Sequence, residues 1–338
     1  MHGQGSNAPK VLLKDCEIVQ TGTNHGLRLD ASAAGAEVTL DHTNVSADTN
    51  KGYGQAITMV VPDCTLKIVN GSQISADYYY GIICFSDNNR ILVEDSTVSG
   101  WCALYLKYND EESTGSNNTV EFVNSTINGT CKHAYGISNS FAALVFEGGS
   151  NNTVTVDQNS KVIATGGENT ERIANFQMMY GTSAPQPENN TLNLLGTAQV
   201  MTPQTTNGFI SYNGNEASAT TNKVVIADTT KLLSADGTDA WIETDDEGNF
   251  VNAYAVPAEA SVDGKPYETL TQAIAAAQNG QTVTLLQDVQ GSITIAAGKT
   301  LTLDLGGKTL TSQDNHAILN QGNLTIRDSV GGGAVVCP

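Results

Sequence analysis

In Asn118-Thr-Val-Glu-Phe-Val, the apolar Val120 and Phe122 alternate with polar neighbours, an Asn-Ser bend follows, and Ile127 opens a further short segment. Alternation over so few residues, bounded by turn formers, is the signal of a half-buried strand. The phrase recurs as Val11/Leu13 with Ile18, Val38/Leu40 with Val45, Leu66/Ile68 with Ile74, and Ile91/Val93 with Val98. It continues as Val154/Val156 with Val162, Leu192/Leu194 with Val200, and Val224/Ile226 with Leu232. Successive first positions from Val11 to Val224 are 27, 28, 25, 29, 34, 38 and 32 residues apart. A second phrase sits between the copies, a small or polar residue before a bulky apolar one. It reads Gly26-Leu27, Ala56-Ile57, Gly81-Ile82, Ala103-Leu104, Gly136-Ile137, Asn175-Phe176 and Gly208-Phe209.

A repeat with three short strands and no helix cannot bury its apolar face alone and must stack on copies of itself. Leucine-rich repeats have a shorter, Leu-dominated consensus, and propeller blades need four longer strands. What remains is a coil whose every turn gives one strand to each of three parallel sheets, with right-handed crossovers. The predicted fold is all-β: a right-handed parallel β-helix of about eight turns over residues 1–233, with its bulky second-phrase residues in one inward ladder. Insertions at 109–117, 166–172 and 181–190 are expected as loops at bends, where binding tends to be placed.

Asp and Glu outnumber Lys and Arg by 35 to 16, for a net charge of −19, although only 15% of residues are charged. Nucleic acid and anionic membranes are bound through clustered Lys and Arg, so neither is an expected partner. No apolar stretch is long enough to insert in a membrane. Six cysteines (Cys16, Cys64, Cys84, Cys102, Cys131 and Cys337) lack metal-site spacing and read as buried thiols or as at least one disulfide. The sequons Asn117-Asn-Thr and Asn189-Asn-Thr follow from the Asn/Thr-rich composition and are not read as glycosylation. No signal peptide is visible, and entry into the repeat within ten residues reads as a segment of a larger protein.

Beyond Ser234 the pattern gives way to an acidic stretch, 234–257, read as a connector. Its carboxylates Asp236, Asp239, Asp245 and Asp246 are weak candidates for Ca²⁺ without the spacing of an EF-hand loop; no other cofactor is expected. After Pro257 a helix is predicted near 267–279, with Leu270, Ile274 and Ala277 on one face and Asn279-Gly280 as its stop. Short strand phrases follow through Leu324/Ile326.

On these repeats the sequence resembles the right-handed parallel β-helix, or pectin-lyase-like, superfamily. Tyr267-Glu-Thr-Leu, Gly280-Gln-Thr-Val-Thr-Leu-Leu, Leu303-Asp-Leu-Gly-Gly-Lys and Leu324-Thr-Ile-Arg-Asp-Ser resemble the opening of β-helix domains in large surface proteins of gut-type anaerobic bacteria. That resemblance implies an extracellular or cell-surface location and a helix capping the start of a solenoid at 258–338. The last strand begins at Leu324, 14 residues before the end, so joining the ends would make one 25-residue turn with Val11. The expectation is that 258–338 stacks on the first turn at Val11 within one chain, or end to end between neighbours.

The superfamily includes polysaccharide lyases and hydrolases. Lyase-like chemistry implies Ca²⁺ beside a basic Arg or Lys, but Arg28, Arg90, Arg172 and Arg327 fall in no recognisable catalytic phrase. Hydrolase-like phrases are partial: Asp245-Asp246 stands in the connector, and Arg172-Ile-Ala lacks a lysine. Two carboxylates facing each other across turns would suffice for an inverting hydrolase and leave no mark in sequence. His25 precedes the second-phrase residue as Gln55, Tyr80 and Cys102 do, which reads as a ladder position. Tyr53, Tyr78, Tyr79, Tyr80, Trp101, Tyr105, Tyr108 and Tyr135 gather beside the second phrase. Tyr78, Tyr79, Trp101, Tyr105 and Tyr108, with Asp110 and Glu111 on the adjoining insertion, are the candidate glycan shelf, since aromatic faces with a polar rim suit sugar rings; the other reading is a structural aromatic ladder. The leading function is adhesion or binding of host or dietary glycans or surface proteins without catalysis. The rivals are a polysaccharide lyase or glycoside hydrolase, and a passive stalk.

Overall fold

The structure is a computed structural model that describes residues 8–30, 33–47, 54–131, 142–165, 172–177, 185–200, 209–213, 221–226, 232–233, 241–244, 250–254, 259–262, 265–267 and 269–337. The chain divides into two compact units, 1–238 and 239–338. The first is a parallel β-helix with sheets of eight, eight and seven strands. The first sheet runs from Lys10–Lys14 to Lys223–Ile226, the second from Glu17–Gln20 to Leu232–Leu233, and the third from His25–Leu29 to Ile210–Asn213. Val11, Val38, Leu66, Ile91, Val120, Val154, Leu192 and Val224 form one register row, as the sequence repeat requires.

Strands of the first two sheets alternate buried and half-exposed residues, as in Thr65–Val69 and Thr97–Gly100. The third sheet differs: Gln55–Met59 and Leu144–Glu147 are buried at every position. Its inner ladder is Leu27, Ile57, Ile82, Leu104, Leu144, Ala174 and Ile210. The expected ladder therefore shifts after the fourth turn. Ile137 lies outside the described residues, and its place is taken by Leu144. Phe176 moves one pleat on and stacks on Phe146 at 4.6 Å. In the second sheet Ala198, not Val200, continues the Val162 row. Val200 instead follows Gly100, Gly129 and Ala164, a row of small side chains with room for it.

The small residue before the first five ladder positions has a steric cause. A Cβ on Gly26 would sit 2.8 Å from both the Ala56 carbonyl oxygen and Val45 Cγ1, and one on Gly81 would lie 2.8 Å from two carbonyl oxygens. Side chains from the second sheet crowd that corner in these turns, whereas buried Ile173 and Phe209 precede the last two positions, Ala174 and Ile210.

Two further corners are built from polar ladders. Before five of the eight first-sheet strands, Asp63, Asn88, Asn117, Asn151 and Asn189 adopt a left-handed conformation, which Asn and Asp tolerate. The next residue in four of these turns is a buried asparagine: Asn89, Asn118, Asn152 and Asn190. Each accepts from a backbone N–H one coil earlier, as in Asn118 N to Asn152 Oδ1 at 2.8 Å and Asn152 N to Asn190 Oδ1 at 2.9 Å. The side-chain nitrogens donate to carbonyls across the corner, Asn152 Nδ2 to Gly115 O at 2.9 Å and Asn190 Nδ2 to Gly149 O at 3.0 Å. The Asn-Asn-Thr sequons at 117 and 189 are thus two repeats of this corner. Between the first and second sheets Thr43, Ser72, Ser125 and Ser160 play the same part, with Thr43 N donating to Ser72 Oγ at 2.9 Å and Ser125 N to Ser160 Oγ at 3.0 Å.

All six cysteines are free; Cys64, Cys84, Cys102 and Cys131 are buried. Burial pushes the Cys84 thiol up to about 11, so it packs as a small apolar group.

The second unit contains the antiparallel pair Trp241–Thr244 and Phe250–Tyr254, inside the stretch read as a connector. A five-stranded sheet follows, in the order Lys265–Tyr267, Ala260–Val262, Thr282–Leu285, Thr300–Asp304 and Asn323–Arg327. Its last three strands are parallel. A three-stranded sheet and a two-stranded sheet, both parallel, complete the coils. The predicted helix spans Leu270–Ala276, with Thr269 and Gln272 forming a capping box. Leu270, Ala273, Ile274 and Ala277 enter the core with Val283, Ile295 and Leu303, so the helix covers the apolar cross-section of the unit.

The Asn151-Asn152 corner offers a direct test. Asn151 is exposed at a φ of 58°, so Asn151→Gly should change stability by no more than about 0.5 kcal/mol. Asn152→Ala strips a buried N–H and a buried carbonyl of their partners and should cost about 2–3 kcal/mol in denaturant melts.

Candidate functional site

The third sheet's outer face is covered where the other two are open. Tyr79, Ile83, Trp101, Cys102, Tyr105, Ala142 and Val145 form an apolar cluster there, with Tyr80 and Phe85 packed against it. Tyr79 lies 4.7 Å from Trp101, and Tyr80 meets Tyr105 edge-on at 4.7 Å. Trp101 and Tyr105 are 5% and 3% exposed, while Tyr78 is 42% exposed, 6.2 Å from the Trp101 ring. The candidate shelf is therefore divided. Tyr79, Trp101 and Tyr105 are joined in the buried cluster, Tyr78 presents a face to solvent, and half-buried Tyr108 begins the insertion that carries exposed Asp110 and Glu111. Tyr53, Tyr135, Asp236, Asp239, Asp245 and Asp246 lie outside the described residues. Among the described residues no group of three His, Cys, Asp or Glu side chains is placed to hold a metal ion.

Beside the cluster, on the first four turns, lies a cleft of about 490 Å³ lined by His25, Arg28, Asp30, Gln55, Thr58, Val60, Phe85, Asn109 and Ser113. Phe85 belongs to both places, packing on the buried rings and lining the cleft. His25 and Gln55 are register partners, as the ladder reading of His25 expects. Three residues apart in a regular strand, His25 and Arg28 would fall on opposite faces. The register skips Gly26 between the His25–Gln55 and Leu27–Ile57 pairs, and both side chains line the cleft.

A chain of polar contacts runs along this floor. Arg28 Nε pairs with Asp30 Oδ2 at 3.0 Å, and Arg28 Nη1 donates to His25 Nε2 at 3.3 Å. With Nε2 accepting, the His25 proton sits on Nδ1, 2.7 Å from Thr58 Oγ1, which donates to Gln55 Oε1 at 2.7 Å. Burial, and then the Arg28 charge, hold the His25 imidazole below its ordinary value. His25 is therefore neutral near pH 7.

One wall of the cleft is the insertion after Lys107. Asn109 N and Asp110 N donate to Ser113 O at 2.9 and 3.3 Å, closing a tight hairpin. Asp87 anchors its return, accepting from Thr114 Oγ1 at 2.8 Å and Ser116 N at 2.7 Å. Below the hairpin, the carboxylate of Glu147 accepts from the Tyr105 hydroxyl and the Lys107 ammonium. Burial and then the Glu147 charge push the Tyr105 hydroxyl well up, so it stays a donor. His25, Arg28, Gln55, Thr58 and Phe85 were absent from the sequence-derived shelf, because strand periodicity does not show where the register skips a residue.

No protein-family model matches the sequence, and no curated protein does. Among solved structures the chain is similar to the family PL6 alginate lyase AlyGC, at 11% identity and a TM-score of 0.21, over 99% of this chain and 70% of that one. It is also similar to an arginine-to-alanine mutant of AlyGC, at 10% identity and a TM-score of 0.18 over the same shares.

Two measurements separate scaffold from site. Trp101→Ala should cost about 3–5 kcal/mol in denaturant melts, as expected for a buried ring, whereas Tyr78→Ala should stay within about 0.5 kcal/mol. The His25 value is depressed in the fold. Its stability contribution is therefore full above the unfolded value of about 6.5 and is lost as pH falls through the lower folded value. In an NMR titration, one imidazole should titrate below about 6.5, and His25→Asn should remove that resonance.

Proposed function

We propose that this chain is a glycan-binding β-helix segment of a surface-exposed protein that acts without turnover. The cleft on the third sheet carries the proposal. It joins an aromatic face, Phe85, to imidazole, amide, hydroxyl and guanidinium groups within one concavity. Such a mixture suits a sugar, whose C–H faces pack on a ring while its hydroxyls exchange hydrogen bonds with the rim. The volume falls in the range of ligand pockets, roughly 300–1,000 Å³.

The absence of turnover is supported by the engagement of the groups that would act as acid or base. Both His25 nitrogens are hydrogen-bonded, Asp30 is paired with Arg28, and the Tyr105 hydroxyl donates to Glu147. The proposed partner is a glycan on a host or dietary surface.

A second reading, polysaccharide cleavage on the same face, is favoured by one observation: a neutral imidazole stands beside a guanidinium in the cleft. Incubation with a glycan panel, followed by assays of reducing ends and unsaturated products, separates the two. Binding without product is the expected result. Product release abolished by His25→Ala would establish the second reading. For binding itself, Asn109→Ala alters an exposed wall residue and should weaken affinity about tenfold with unchanged melting. Undiminished affinity would place the glycan elsewhere.

A further inference from the structure

We infer that this cleft selects an uncharged, hydroxyl-bearing glycan and turns away its uronic-acid counterpart. The inference rests on the glycan-binding reading and adds the charge class of the ligand.

The floor holds one cation, and its charge is already met. Arg28 gives Nε to Asp30 and Nη1 to His25. An incoming carboxylate would have to compete with Asp30 for the same guanidinium. The nearby ammonium of Lys107 is likewise committed to the buried Glu147. Acidic-sugar recognition favours a cation with an open bidentate fork; two of the three Arg28 nitrogens are already engaged, and Lys107 offers a point charge rather than a fork.

What the floor offers instead is neutral. Gln55 is only 8% exposed yet lines the cleft. Its Oε1 accepts from Thr58, and its side chain also hydrogen-bonds His25. As an amide lining the cleft it presents neutral polar groups to a ligand, and a sugar hydroxyl or ring oxygen pairs with such groups without charge. Asn109 and Ser113 add amide and hydroxyl groups from the wall.

The rim adds repulsion. In the hairpin, Asp110 accepts from Asn109 Nδ2 at 2.6 Å and from Glu112 N at 3.0 Å. That turn holds Glu111 and Glu112 exposed next to the two wall residues. Charges within roughly 8 Å act across physiological salt, and the chain as a whole carries −19. Among the described residues, a polyanion approaching this mouth meets like charge, and the one guanidinium on the floor is already paired with Asp30.

Matched oligosaccharides that differ only at C6 test the inference: galactan and galacturonan, mannan and mannuronan, glucan and glucuronan oligomers of equal length. Titration calorimetry on the full chain at 0.15 M salt should find at least one neutral oligomer bound at least tenfold tighter than its uronate. The double variant Glu111→Gln/Glu112→Gln should raise uronate affinity two- to fivefold and leave the neutral partner unchanged. A uronate bound as tightly as or tighter than its neutral counterpart would overturn the charge selection and leave glycan binding intact. A neutral preference that the double variant leaves unaltered would remove the hairpin from the explanation. Binding of none of the six would end the glycan reading, and the inference with it.

Discussion

Every coil of a parallel β-helix turns three corners, and at each corner backbone donors leave one sheet before entering the next. Those groups are shielded from water by the coils on either side, so each needs a partner within the fold. In the first unit most of these donors reach a backbone carbonyl of the next coil, and at two of the three corners one donor per coil reaches a side chain instead. Asn118, Asn152 and Asn190 each accept from the N–H one step earlier and donate to a carbonyl across the corner. One such bond contributes only about 1 kcal/mol, but leaving its buried donor empty costs about 1–3 kcal/mol. The ladder therefore acts chiefly by exclusion, because a coil slipped by one residue would orphan a donor at each of the two corners that carry a ladder. Apolar stacking supplies the larger energy; the amides fix the register in which it is gained.

The same geometry explains why one face became a site. In the first two sheets, strand alternation sends polar side chains outward to water. At the third, apolar residues lie on the outer face as well, and Tyr79, Trp101 and Tyr105 bury one another. That buried patch is a rigid base from which Phe85 extends into the cleft. The insertion beyond Lys107 stands on the same base, tied by Asp87 below. A loop anchored in this way can present side chains to a ligand with little ordering cost on binding.

The fold was legible because its cause is periodic. The first-sheet row from Val11 to Val224 follows from alternation alone, and Ser72 and Ser125 belong to bends visible as polar punctuation. The third sheet was legible only as far as Leu104. Beyond it Ile137 lies outside the described residues, and Leu144 continues the ladder. The Asn-Asn pairs carried a corner signal, but composition makes such pairs common, and nothing in one pair distinguishes a turn from a sequon. The cleft was harder still. His25, Arg28, Gln55 and Thr58 converge because the register skips Gly26 and because coils stack, and neither event has a local signature. The aromatic residues were conspicuous for the opposite reason: their clustering in sequence reports mutual burial as readily as a binding surface.

The second unit meets the corner requirement with different chemistry. Asp304 is buried, and its carboxylate accepts from Arg327 Nε, Ser329 N and Gly306 N. Asp328 accepts from Gly307 N and Gly333 N. Burial alone would raise the Asp304 value, but the Ser329 and Gly306 donors and the Arg327 charge outweigh it and hold it below the usual range. A depressed folded value means stability present above the unfolded carboxylate value of about 3.9 and lost as pH falls through the folded one. An asparagine corner has no such term, since an amide does not titrate. The asparagine ladder of the first unit uses a neutral acceptor and the Asp304 corner of the second a charged one, and only the charged one ties its corner to pH. In a chain of net charge −19, where each further carboxylate adds to self-repulsion, neutral asparagines let corner be stacked on corner without stacking charge on charge.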